Sequence, residues 1–218
     1  MKLPYTINWK LEWLTIVIMA AAALSSVYFY QHFPEQVTTH WNLEGEPNGY
    51  SGRSFAAFFF PALLIAIYLM LIFLPLADPR KERYEDFSRP YATIRIALVL
   101  LFAGFYALGS LNGIGYDLPV DAIVPAGIGL LFIILGNIMP KVRRNWFVGI
   151  RTPWTLSNET VWNKSHRFGG KLFMVAGVAI IASIIAPVSW YVPLFFGSII
   201  LISLGTVVYS WWIWKKES

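Results

Sequence analysis

The chain has 218 residues, 57% of them hydrophobic and 13% charged, with a mean hydropathy of +0.57 and a formal net charge of +5. Soluble domains run about 45–50% apolar and about 25% charged, so this composition excludes a water-soluble globule and calls for lipid to cover its surface. Cysteine is absent, which removes disulfide frameworks, thiolate metal sites and cysteine nucleophiles together.

Apolar runs of about 17–25 residues mark membrane-crossing helices, because that length covers the hydrocarbon core. Six occur in chain order: Trp13 to Tyr30, Phe55 to Ala77, Ala92 to Leu111, Ala122 to Met139, Leu172 to about Trp190, and Val192 to Trp214. The first passes beyond the cleavage-like Ala21-Ala22-Ala23 to full spanning length, and Glu12 spoils a positive leader, so it reads as a span and not as a signal peptide. The fifth is interrupted by Pro187 and is kept because its neighbours need a crossing between them. Aromatic residues at the run ends, such as Trp13, Tyr30, Trp190 and the Trp211–Trp214 cluster, suit an interfacial belt.

Lysine and arginine near span ends stay cytoplasmic, so their distribution sets the orientation. Fifteen of the 17 basic residues fall before span one, between spans two and three, between spans four and five, or after span six. The other side has Arg53 beside Glu35, Glu44, Glu46, Asp117 and Asp121, while Arg95 sits one turn inside span three, where it is expected to snorkel to the inner surface. The expected fold is therefore an all-α integral membrane protein with six transmembrane helices and both termini in the cytoplasm, in contact with the lipid bilayer.

Two of the five connections are long: 31–54 outside and 140–171 inside. The others read as short or plain charged linkers. In the outer loop, Val37, Thr38 and Thr39 favour an extended strand, and Pro47-Asn48-Gly49 is expected to make the tight turn of a small hairpin on the membrane surface. His32, Glu35, His40 and Glu46 are ordinary ligand types, but none share a helical i, i+4 spacing, so capping and hydrogen bonding is the expected role and no metal is assigned.

In the inner loop, Thr152 before Pro153 and Ser157 before Glu159 are helix-start signals. An amphipathic cytoplasmic helix is expected from Ser157 toward span five, with Trp162, His166, Gly169 and Phe173 on one face. It would lie at the interface with its tryptophans at headgroup depth, or form a docking surface for a cytosolic partner. Arg151 could clamp Glu159, a lipid phosphate or a partner's acid. Asn158-Glu159-Thr160 matches a glycosylation acceptor by chance, since it faces the cytoplasm. No phosphate loop, His-Glu-x-x-His or Gly-x-Ser-x-Gly occurs, and the spans offer no nucleophile with a base, so no enzyme activity and no cofactor are expected.

The inner-loop residues Gly136-Asn137, Gly149-Ile150-Arg151-Thr152-Pro153-Trp154-Thr155-Leu156, Glu159-Thr160-Val161-Trp162 and His166-Arg167 resemble the signature of the SdpI family of bacterial membrane proteins. The outer stretch His40-Trp41-Asn42 with Gly45, Pro47 and Tyr50 resembles an N-terminal module of unknown function often joined to it. On this reading residues 1–91 form the N-terminal module and residues 92–218 the SdpI-like module. The resemblance implies a bacterial plasma-membrane immunity protein that protects against a secreted peptide toxin met on the extracellular side. It also implies signalling, by holding a cytosolic repressor at the inner loop without touching nucleic acid itself. The candidate inner site is Asn137, Arg151, Thr152, Pro153, Trp154, Thr155, Glu159, Trp162 and His166; the candidate outer site is His40, Trp41, Asn42 and Tyr50. A small transporter or channel is the alternative, opposed by the scarcity of ionisable groups in the spans and the lack of inverted repeats, and a membrane enzyme ranks last.

Overall fold

The computed structural model describes residues 3–217 and is mostly helical. Helix α1 (Trp9–His32) leads into a hairpin of β1 (Gln36–Trp41) and β2 (Pro47–Gly52), followed by α2 (Arg53–Phe73), α3 (Ser88–Gly113), α4 (Val120–Ile138), the short α5 (Pro153–Ser157), α6 (Glu159–Ser183) and α7 (Tyr191–Glu217). Five segments are long and apolar enough to cross a membrane: Trp9–His32, Arg53–Ala77, Lys81–Gly113, Val120–Lys141 and Tyr191–Glu217. Many of their large side chains, Leu24, Met70, Leu130 and Leu204 among them, point outward, as lipid-facing residues must. The protein is a multi-pass membrane protein.

Helix α6 differs from the expected pattern. The amphipathic helix and the fifth apolar run are one continuous rod, with Lys164, Arg167 and Lys171 in its first half and apolar residues from Leu172 onward. Its cap is Asn158, whose side chain accepts from the Thr160 and Val161 amides; Ser157 instead ends α5. The rod stops at Ser183, and a 3-10 turn at Val188–Trp190 just after Pro187 leads into α7.

Helices α4 and α6 make the closest helix pair, and glycine is the reason. Gly129 lies against Gly177 and Gly136 against Gly170, so that a Cβ on any of the four would drive into the facing carbonyl oxygen. Seven residues separate the glycines on each helix, placing both contacts on one seam. Without a hydrophobic force between helices in lipid, such small-residue seams let backbones approach and gain van der Waals contact.

The hairpin forms with its turn elsewhere than expected. Pro47, Asn48 and Gly49 are strand residues, and the chain reverses over Asn42–Glu46, where Gly45 takes φ +80° and the Asn42 side chain accepts from the Glu44 and Glu46 amides. An Asx turn competes well with a Pro-Asn-Gly turn because the side-chain oxygen satisfies two amides at once. The antiparallel pairing runs from Gln36 opposite Gly52 to Trp41 opposite Pro47, with irregular register around His40. Val37 and Phe33 dock the hairpin on Gly113 at the end of α3.

Arg95 does not snorkel. It is fully buried in α3 and ion-paired with the equally buried Glu12 of α1, which also accepts from the Tyr68 hydroxyl of α2 at 3.0 Å. The guanidinium lies over the rings of Tyr91 (4.8 Å) and Tyr5 (5.3 Å). A carboxylate, two aromatic faces and a phenol replace water here, so the charge stays inside the bundle and ties three helices together. The connection between α2 and α3 is likewise no plain charged linker: it winds as a 3-10 helix over Lys81–Phe87 and buries Tyr84 and Phe87.

Candidate functional site

The loop joining α4 to α6 is organised by side chains that replace regular backbone pairing. Asn145 is fully buried; its Oδ1 accepts from the Phe147 and Val148 amides, and its Nδ2 donates to the Arg143 and Val148 carbonyls. Asp78, arriving from the end of α2, accepts from the Trp146 amide at 2.9 Å, the Tyr84 hydroxyl at 3.0 Å and the Arg80 amide at 2.7 Å. Buried backbone groups need such partners, and two short side chains supply them.

Beyond Gly149, which takes φ +116° and leaves no room for a Cβ against His166, the chain turns onto α6. The Ile150 N–H donates to His166 Nε2 at 3.1 Å, while His166 Nδ1–H donates to the Trp162 carbonyl at 2.8 Å. Those partners require a neutral imidazole with its proton on Nδ1. Burial supports the same state, lowering the pKa of His166 to about 4. Trp162 stacks on the ring at 4.0 Å and donates its indole N–H to the Val142 carbonyl. Both side chains are wholly enclosed, so the face expected at headgroup depth is instead the seat of the loop.

Thr152 and Thr155 close a capping box at the start of α5, and the Thr152 hydroxyl meets Ser210 Oγ of α7 at 3.1 Å. Thr155 Oγ1 also donates to the Ile150 carbonyl at 2.8 Å. Pro153 occupies the first helical position, exposed, and Trp154 is partly buried. Arg151 does not clamp Glu159: its guanidinium donates to the Trp146 carbonyl at 2.7 Å and is otherwise exposed. Glu159 is taken by Arg83 at 2.6 Å and Arg144 at 3.7 Å, and the hydrogen bond from Arg83 holds its carboxyl below the usual range. Arg80 and Arg144 both donate to the Leu156 carbonyl, at 3.1 and 3.4 Å.

Eight of the nine inner candidates thus lie on one compact unit. Asn137 stands apart, exposed on α4. Asp78, Arg80, Arg83, Tyr84, Arg144, Asn145 and Ser210 belong to the unit and were not foreseen. Tyr84, Phe87 and Tyr91, three and four residues apart in a supposed charged linker, were the signal available for the α2–α3 segment. Asn145 offered none.

At the hairpin end the side chains are looser. His40 is exposed and its Nδ1 approaches Asn48 Oδ1 at 2.5 Å; Asn42 is spent on its turn; Tyr50 projects outward. Among the described residues, no three His, Asp or Glu side chains gather to hold a metal ion. Trp41 points inward and lies between two apolar cavities of about 210 and 290 Å³.

Residues 141–210 match the SdpI/YfhL protein family, and residues 17–65 match a domain of unknown function, DUF1648. Over 167 residues, 77% of this chain and 78% of the other, the sequence is 30% identical to a protein of Bacillus subtilis (strain 168) named immunity protein SdpI. No solved structure matches.

Proposed function

Because this chain belongs to the SdpI/YfhL protein family, we propose that it is a non-enzymatic immunity protein of a bacterial plasma membrane, protecting its host from a secreted peptide toxin. The observation that carries this is the kinship with an immunity protein across 77% of the chain. The protein crosses the membrane six times, with α6 as the crossing beyond the five long apolar segments, both termini and the loop unit inside, and the hairpin outside. Two features support that layout: α6 runs along α4 through its glycine seam, and the basic residues collect at the loop end. The N-terminal module, residues 1–91, carries the outer hairpin, and residues 92–218 carry most of the inner loop unit, which Asp78, Arg80, Arg83 and Tyr84 of the first module complete and which receives a cytosolic repressor.

Deleting the protein should sensitise its host to the secreted peptides of its own kind; unchanged sensitivity would sink the proposal. The layout is tested on a chain free of native cysteine. Asn48→Cys should react with an impermeant maleimide on intact cells and Lys216→Cys only after permeabilisation, and the reverse pattern overturns the orientation. At the inner site, Arg151→Lys should impair protection without loss of membrane insertion, because Lys cannot reproduce the planar fork.

A second reading, a small transporter or channel, draws on the Glu12–Arg95 pair, since ionisable residues inside a bundle mark ion pathways in many membrane proteins. Solute flux into liposomes carrying the native chain, abolished by Glu12→Gln at a temperature where that variant is shown to remain folded, would favour it over the immunity role.

A further inference from the structure

The two cavities beside Trp41 share Thr39, Trp41, Val120 and Val124 as walls, so the indole is a partition within a single groove. One compartment runs toward Phe33 and Tyr106 between the hairpin, α2 and α3; the other opens past Pro125 toward Tyr191 and Phe196 between the hairpin, α4 and α7. Each exceeds the about 150 Å³ that lets an apolar cavity accept a benzene ring, so each can take a large apolar side chain.

The groove wall also carries a charge. Asp121, in the first turn of α4, lines the larger compartment, and the Gly45 turn packs against its side chain. Glu35, Glu44, Glu46 and Asp117 lie on the same end of the molecule, none of the five carboxylates forms an ion pair among the described residues, and Arg53 is the one lysine or arginine beside them, with His40 on the wall of the same compartment. The apolar space under the inner loop, about 280 Å³, is lined by no charged residue and so selects no partner by charge.

We propose that the groove divided by Trp41 binds a cationic, apolar peptide segment, two of whose apolar side chains enter the compartments on either side of the indole while a basic residue pairs with Asp121. This deepens the immunity reading, on which it rests, by assigning the place of contact and the chemical class of the peptide. A negatively charged lipid headgroup is opposed by the same carboxylates, which leaves an acyl chain as an outcome for the test.

The protein in neutral phosphatidylcholine nanodiscs is titrated with a fluorescein-labelled synthetic peptide of alternating leucine and lysine, its leucine–glutamate twin, and a fluorescent decanoyl probe, with empty nanodiscs as reference. The leucine–lysine peptide should bind saturably above the empty discs. Val124→Trp, which intrudes from the wall shared by both compartments, and the isosteric Asp121→Asn should each weaken it about tenfold or more, with thermal unfolding showing that both variants remain folded. Equal binding of the glutamate twin, displacement by the decanoyl probe, or unchanged affinity in both variants overturns the proposal. Protection assays separate the two levels. If deletion sensitises cells but folded Val124→Trp protects like the native chain, the groove falls and the immunity reading stands. If deletion has no effect while peptide binding still depends on the groove, the immunity reading falls and the groove stands.

Discussion

At the loop end of the molecule, the side chains that organise the loop are buried and hydrogen-bonded, with the Ser165 hydroxyl a buried exception; at the hairpin end they are exposed or confined to a turn, around apolar space. Asn145, Asp78, Thr155 and His166 sit wholly or almost wholly out of solvent with two or more hydrogen bonds apiece, whereas His40, Glu46 and Tyr50 face outward. A buried, satisfied network holds one geometry, because any alternative leaves a polar group unpaired. An end built from a two-stranded hairpin over cavities has room to accept something. The contrast separates a rigid, preorganised platform from a looser, more open surface.

The sharpest way to break the comparison is to remove charge at the buried end. Glu12→Gln leaves Arg95 without its counter-charge and should cost about 3–5 kcal/mol of stability, read as a large drop in melting temperature in detergent. A small loss would mean that the pair is hydrated. Next, Gly149→Ala combines a positive φ with a collision against His166 and should cost about 3 kcal/mol, the sum of backbone strain and overpacking.

Acidification tests the same imidazole without mutation. Its folded pKa of about 4 lies below the usual 6.5, so the unfolded chain binds the proton more readily between those values. Stability contributed by neutral His166 is therefore complete above about pH 6.5 and falls away as pH drops toward 4, by on the order of 3 kcal/mol. Melting temperature followed against pH should show this slope in the native chain and lose it in His166→Gln.

Smaller effects sharpen the picture at exposed sites. Arg83→Ala breaks a half-exposed pair with Glu159 and should cost under about 1 kcal/mol, less at high salt. At the hairpin, His40→Ala and Tyr50→Ala should each stay within about 0.5 kcal/mol by the same melt, and a larger loss would show that the hairpin end is as tightly built as the loop end.

Much of this was legible in the chain. Five apolar runs stand as long helices because length and hydropathy are local properties that lipid reads directly. The first hairpin strand, around Val37-Thr38-Thr39, and the Thr152-Pro153 helix start were equally local. The placement of the turn was not, since Asn42 outcompeted Pro47-Asn48-Gly49 by bonding two amides. The glycine seam was half legible: the seven-residue spacing of Gly129 with Gly136 and of Gly170 with Gly177 is visible, but not which two helices it joins.

The sequence by itself determined a membrane protein, its apolar helices, the crowding of basic residues onto one set of connections and the residues of the loop signature, all of which follow from composition and short spacing. Only the tertiary structure decided what partners those residues take. Arg95 found Glu12 across 83 positions and stayed buried, Glu159 was claimed by Arg83 and Arg144 in place of Arg151, and Trp41 became a partition between cavities. A charge settles where its desolvation is best offset, and that depends on which distant segments packing brings alongside it.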